Sequence, residues 1–191
     1  MFTARQTEII DRSIEIIATK GIQGLTIKNL SMEIGISEPA IYRHFKSKTE
    51  IILAILENFK IMAEFLAATM ENLDGTAYEK INFMFSKMME VFTAQPSIVS
   101  VIFSEEIFKN EVSLLEKIRT IMNLNQKTIE NIIAKGQKDG NVRNDINKES
   151  LAIIIMGALR LLVKRWNLNE HNFDLNKEGK TLLNSIQLII T

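Results

Sequence analysis

The sequence predicts an all-α protein of about nine helices, and three observations predict it. Apolar residues recur at three- and four-residue spacing along most of the 191 residues, and no strand-like alternation persists. There are only 2 prolines in a chain that is 46% hydrophobic, so long helices run unbroken over a sizeable core. The 8 glycines fall mostly where the periodic runs stop. The pattern divides into an N-terminal three-helix unit over residues 1–47, holding a helix-turn-helix, and a larger helical domain over residues 48–191. A fourth helix, about 48–73, connects them.

Ile9, Ile10, Ile14 and Ile17 share one face of the first helix, which is expected to stop near Gly21. Thr26 suits the N-cap of the second helix, whose buried stripe is Ile27, Leu30 and Ile34. Gly35 ends it, as a residue free to take positive φ does. Ser37 is expected to cap a third helix, with Pro39 tolerated in its first turn. Ile41 and Phe45, at i and i+4, anchor that helix inward and leave Glu38, Pro39, Tyr42 and Arg43 facing out. Ser47-Lys48-Thr49-Glu50 reads as a capping box opening the fourth helix.

After a break at Gly75, helices are expected at about 76–94 and 97–108, separated by Gln95-Pro96. A long helix over about 111–138 stops at Asp139-Gly140-Asn141. Asn147 caps the next, about 148–168. A polar connector over 169–174 leads to the last helix, which carries Leu182, Leu183, Ile186 and Leu188–Ile190 in its apolar stripe.

Formal net charge is zero, so the whole chain is not a basic nucleic-acid binder. Arg43, His44, Lys46 and Lys48 nevertheless stand within six residues of one another with no acid among them. Such a local positive tip suffices for short-range phosphate contact. The chain has no cysteine, which excludes disulfides, thiol catalysis and thiolate metal sites. Its 2 histidines lie far apart, so no metal site is expected. The first residues lack a signal pattern, and the longest apolar run, 151–163, is interrupted by Arg160 and too short to span a bilayer. A cytoplasmic protein without membrane contact is expected.

A helix-turn-helix can be purely structural. The outward face of the third helix argues otherwise. Tyr42 and His44 can both hydrogen-bond phosphate oxygens, and Lys48 follows at the start of the next helix. Here the chain resembles the DNA-binding domain of the tetracycline-repressor (TetR) family. The resemblance rests on Gly21, Thr26, Gly35-Ile36-Ser37 and the run Tyr42-Arg43-His44-Phe45-Lys46-Ser47-Lys48. It implies that Thr26, Tyr42, His44 and Lys48 hold the phosphate backbone of a double-stranded operator. It implies that Glu38, Pro39, Ala40 and Arg43 face base edges, with Lys28 as a helper. Arg43 suits guanine O6/N7, and suits a further phosphate equally. Glu38 suits cytosine N4, or acts only as a first-turn acid on the helix dipole.

One helix-turn-helix makes a small contact, and dimers read two half-sites about 34 Å apart or a multiple of it. The helix over 151–163 is apolar nearly all round, which fits burial by its own domain on one side and by a second copy on the other. A helix wholly internal to a monomer shows the same pattern. The expected homodimer interface is Leu151, Ile155, Leu159, Leu162, Leu183, Ile186 and Ile190; pairing of the last two helices with their mates is what the resemblance implies.

Residues 59–108 hold most of the 10 phenylalanines and 5 of the 9 methionines. Met-rich aromatic surfaces adapt to varied apolar shapes. A plain hydrophobic core has the same composition; the resemblance implies a cavity for a small-molecule effector. Its expected lining is drawn from Phe59, Met62, Phe65, Phe85, Met88, Met89, Phe92, Phe103 and Met122, and its ligand is expected to be apolar or amphipathic.

No Gly-rich phosphate loop, Ser/His/Asp arrangement or carboxylate pair supports an enzyme, and no cofactor is implied. The expected function is a ligand-responsive repressor that binds a palindromic operator as a homodimer. The alternative is a DNA-bound adaptor on the same fold whose surface recruits a protein partner.

Overall fold

The computed structural model describes residues 2–103 and 111–191. Among these it has nine helices and no strand: α1 (Ala4–Gly24), α2 (Ile27–Ile34), α3 (Glu38–Tyr42), α4 (Lys48–Asn72), α5 (Ala77–Ala94), α6 (Ser97–Ile102), α7 (Val112–Lys138), α8 (Lys148–Leu168) and α9 (Leu175–Ile190). The stretch 104–108, expected as the end of the sixth helix, lies outside the described residues.

Local chemistry accounts for most of the boundaries. Thr3 opens α1 with a full capping box: its hydroxyl accepts from the Gln6 amide at 3.2 Å, and the Gln6 side chain accepts from the Thr3 amide at 3.0 Å. Gly21, at φ 68°, breaks α1 where the helix was expected to end, and a short helical turn continues to Gly24. Thr26 caps α2 by accepting from the Asn29 amide at 3.1 Å. Gly35 ends α2 at φ 77°, with its amide donating to the Ser31 carbonyl at 3.0 Å. That left-handed conformation costs an L-residue with a Cβ and leaves glycine unstrained. Asn147 caps α8 through the Ser150 amide at 2.7 Å.

Two expected caps differ. The Ser37 side chain makes no capping hydrogen bond to α3. Ser47 accepts from the Glu50 amide at 3.1 Å, but the Glu50 carboxylate reaches back to the Lys46 amide, one residue earlier than a standard box requires. A third capping box, not among the sequence expectations, opens α5. Thr76 and Glu79 cap α5 reciprocally, at 3.3 and 2.8 Å.

The chain divides into two compact units, Met1–Ile61 with Ser97–Thr120 and Met62–Pro96 with Ile121–Thr191. In the first, α1 packs on α6 and α2, and α2 packs on α3. Its core includes Ile9, Ile10, Leu30, Ile41, Phe45, Ile51, Ile55, Val99 and Leu114. Lys117 of α7 forms an ion pair with Glu57 of α4, and this hydrogen bond holds the Glu57 carboxyl below its usual range. In the second unit α9 packs on α5 and α8. Gly179 allows that approach: a Cβ there would overlap the Met89 sulfur.

Candidate nucleic-acid interface and effector region

The third helix is held from beneath. Ile41 and Phe45 are buried, as their spacing requires, and this turns the intervening side chains outward. Glu38, Pro39, Tyr42 and Arg43 are exposed, Tyr42 at 49%, while Ala40 and His44 are half-buried. The Gln6 side-chain amide reaches the His44 carbonyl at 3.5 Å, tying the end of this segment to the first turns of α1. Lys28 and Thr26 are exposed on α2 and its cap. The Thr26 oxygen accepts from Asn29, which leaves its hydroxyl proton free to donate.

Lys48 is less free than its sequence position suggests. Its Nζ donates to the Ile22 carbonyl at 2.6 Å, and burial holds its ammonium below the ordinary lysine pKa. The side chain therefore reaches the last turn of α1, four residues before Thr26. Asn29 satisfies a second carbonyl of that turn, Gly24, at 2.8 Å.

The nine residues expected around an effector are divided between the two units. Phe59 is buried and Phe103 half-buried in the first unit. In the second unit Phe85, Met89 and Phe92 fill core, and Met122 is exposed to solvent. Met62, Phe65 and Met88 do converge. With Leu66 and Thr69 of α4 and Phe83 and Val91 of α5 they wall an open, largely apolar groove of about 380 Å³, with Lys87 and Glu90 on its rim. Phe65 is 70% exposed along that groove. Helical period separates the two sets on α5: Phe85, Met89 and Phe92 lie on the stripe that meets the core, and Met88 and Val91 lie beside it.

The expected dimer residues lie mostly inside their own chain. Leu151, Ile155, Leu159, Leu183, Ile186 and Ile190 are buried within their own chain, and Leu162 is half-buried. Side chains already enclosed by their own fold cannot form the surface of an interface. The exposed apolar residues of α8 and α9 are instead Ile153, Ile154, Leu161, Leu168, Leu188 and Ile189. Gly157 is exposed on α8, with open space where its Cβ would stand.

Among the described residues no group of three or more potential metal ligands occurs, and no helix is long and apolar enough to cross a membrane. What the fold and the outward face of α3 define is a helix-turn-helix transcriptional regulator. Two family profiles match the chain, "Bacterial regulatory proteins, tetR family" over residues 9–55 and "MAATS-type transcriptional repressor, C-terminal region" over residues 75–190. The protein belongs to the tetR family of bacterial regulatory proteins. It is 22% identical over 170 residues to the fatty acid metabolism regulator protein of Bacillus subtilis, covering 88% of this chain and 86% of that one. The fold matches the transcriptional regulator FadR of Bacillus subtilis, solved in complex with stearoyl-CoA, with a TM-score of 0.79, 22% identity and 96% of each chain covered. It also matches the ketosteroid transcriptional regulator KstR2 of Mycobacterium tuberculosis, with a TM-score of 0.79, 18% identity, and 100% and 97% of the two chains covered.

Proposed function

We propose that this protein is a cytoplasmic repressor that binds a palindromic operator as a homodimer and releases it when an amphipathic small molecule binds. The observation that carries the reading is the construction of α3 and the residues that follow it: two buried anchors, Ile41 in the helix and Phe45 just past its end, under an exposed face of Glu38, Pro39, Tyr42 and Arg43. Thr26, Tyr42, His44 and Lys48 hold phosphates and set register. Glu38, Pro39, Ala40 and Arg43, with Lys28, meet base edges in the major groove. The second copy docks on the exposed apolar face of α8 and α9.

The effector is proposed to be apolar or amphipathic, with a long acyl chain as the first candidate. Support comes from the apolar walls of the α4–α5 groove and from the stearoyl-CoA complex of the similar Bacillus subtilis regulator. Met62, Phe65 and Leu66 stand on the same uninterrupted helix that starts at Lys48. A ligand that moves α4 moves Lys48 with it. Release of DNA then requires the ligand to bind the DNA-incompetent state more tightly than the competent one.

Selection from a random duplex library, followed by mobility shift with the selected site, tests the reading. A palindromic site bound by two chains and released by a long-chain acyl-CoA is the expected result. Arg43→Ala should relax specificity at one base pair of each half-site, by about 1–3 kcal/mol. Undiminished binding by an Arg43→Ala, Lys48→Ala double variant would sink the DNA assignment.

A further inference from the structure

Lys80 is the only lysine or arginine among the described residues that is buried, at 4% exposure. Its Nζ donates to the Met70 carbonyl at 2.8 Å, in the last turn of α4. That uses one of its three N–H bonds. Among the described residues neither a carboxylate nor a second acceptor is paired with it. A buried ammonium with unused donors is costly unless something accepts from them. Lys80 also lines a cavity of about 240 Å³ that lies wholly within the second unit.

The charges around that cavity are unevenly placed. Glu71, Lys135 and Asp139 stand on its rim and are exposed, so water and salt screen them. Lys80 stands at the floor beside buried Ala77, Ile132 and Gly136. Of the charged groups on the wall, the Lys80 ammonium is the one that water screens least. Asn141, half-buried in the wall, is oriented by accepting from the Ala77 amide at 3.1 Å, which turns its NH₂ group elsewhere as a further donor.

We infer that this cavity is an oxyanion site, taking a carboxylate or a phosphate group on the two remaining Lys80 N–H bonds. It is separate from the apolar α4–α5 groove, and it stands on Lys80 and the cavity alone, whatever occupies that groove.

Calorimetric titration of the full chain with inorganic phosphate, acetate and glycerol 3-phosphate, each at constant ionic strength set by sodium chloride, tests the inference. Saturable binding of one equivalent per chain by at least one of the three is expected. Phosphate or glycerol 3-phosphate alone marks a phosphate site, and acetate alone a carboxylate site. Lys80→Met should weaken binding about tenfold or more, the loss of a charge-assisted hydrogen bond. Because that variant also removes the cap on Met70, Ala67→Phe provides a second route: it fills the cavity from α4 and keeps the ammonium. It should abolish binding while the chain stays folded by circular dichroism. No saturable binding by any of the three anions, or full binding by folded Lys80→Met or by Ala67→Phe, overturns the inference and leaves Lys80 as a helix cap.

Discussion

The Lys48 ammonium stands 2.6 Å from the Ile22 carbonyl oxygen, which joins the first residue of α4 to the last turn of α1. An ammonium has three donors, so two stay available for a phosphate oxygen. The intramolecular bond fixes where they point. Lys48→Met should therefore do two things at once. Affinity for all duplexes should fall alike, and the plot of log affinity against log salt should become shallower by about one unit. Thermal stability should fall modestly, by roughly 1 kcal/mol, because the Ile22 carbonyl loses a donor. Mobility shifts across a salt series and a melting curve measure both; an unchanged salt slope would remove Lys48 from the phosphate contacts.

The same residue predicts a pH dependence. Burial lowers the Lys48 pKa from the usual 10.5, because the charged form loses hydration. Phosphate contact needs that charged form, so DNA binding is linked to protonation of Lys48. Operator affinity should decline as pH rises toward the lowered pKa, earlier than for an ordinary lysine. The sign for folding is opposite: the folded state holds this proton more weakly than the unfolded one, so this group's contribution to stability grows as pH rises through the folded pKa. Comparing affinity from neutral to alkaline pH in wild type and Lys48→Met isolates the effect. The variant's profile should be flatter, and identical profiles would refute the linkage.

The legible and illegible parts of this chain differ in what decides them. Ile41 and Phe45 reveal the α3 segment because a short helix buries one face: Ile41 lies on it, and Phe45, four residues on, is buried just past the helix end. Thr26, Gly35 and Asn147 reveal caps because capping is local chemistry within four residues. The seam of α8 is different. Ile154 and Ile155 are neighbours of identical chemistry, yet one is exposed and the other buried. In a helix that is apolar all round, hydrophobicity alone cannot say which stripe meets its own core. The packing of α9 decides it. Lys80 shows the same limit. A lysine on an amphipathic helix is read as solvated, and it is buried here because the end of α4 supplies a carbonyl.

That distinction on α8 and α9 gives the third prediction. Leu161 is 60% exposed and Leu159 is buried, two positions apart. Leu161→Glu should leave the helical spectrum and the melt of the single chain nearly intact while yielding monomers in sedimentation. Operator affinity should then drop about a hundredfold or more, since a single half-site loses the benefit of its tethered mate. Leu159→Ala should behave in the opposite way, costing about 2–5 kcal/mol of stability through a core cavity while dimers persist at temperatures where the chain is folded. If Leu161→Glu remains dimeric, the exposed face of α8 is not the seam.

Gly179 and Met89 supply a stability test that is independent of function. A Cβ on residue 179 would overlap the Met89 sulfur and stand 2.6 Å from its methyl. The thioether is flexible, but Met89 is buried and has little room to turn. Gly179→Ala should therefore cost about 1–3 kcal/mol by overpacking, despite replacing a helical glycine with the best helix former. Shortening the opposing side chain should relieve the clash, so the Gly179→Ala, Met89→Ala double variant should be more stable than the sum of the single losses implies. A double-mutant cycle by chemical denaturation reads this coupling. Strict additivity would show that α9 does not approach α5 this closely.

The groove between α4 and α5 can be closed without touching the DNA-reading unit. Val91 lines it opposite Met62, Phe65 and Leu66 and is only half-buried, so a larger side chain there extends into the groove rather than into the core. Val91→Trp should leave operator affinity within about twofold of wild type, because a surface-directed substitution away from the core usually changes stability by less than about 0.5 kcal/mol. It should raise the acyl-CoA concentration needed to release DNA about tenfold or more, which corresponds to losing roughly 1.4 kcal/mol of ligand binding. Mobility shift with the selected operator and increasing long-chain acyl-CoA gives both quantities from one set of lanes. Equal acyl-CoA sensitivity in Val91→Trp and wild type would place the effector elsewhere in the second unit, and the buried cluster of Phe85, Met89 and Phe92 would then be the next place to block.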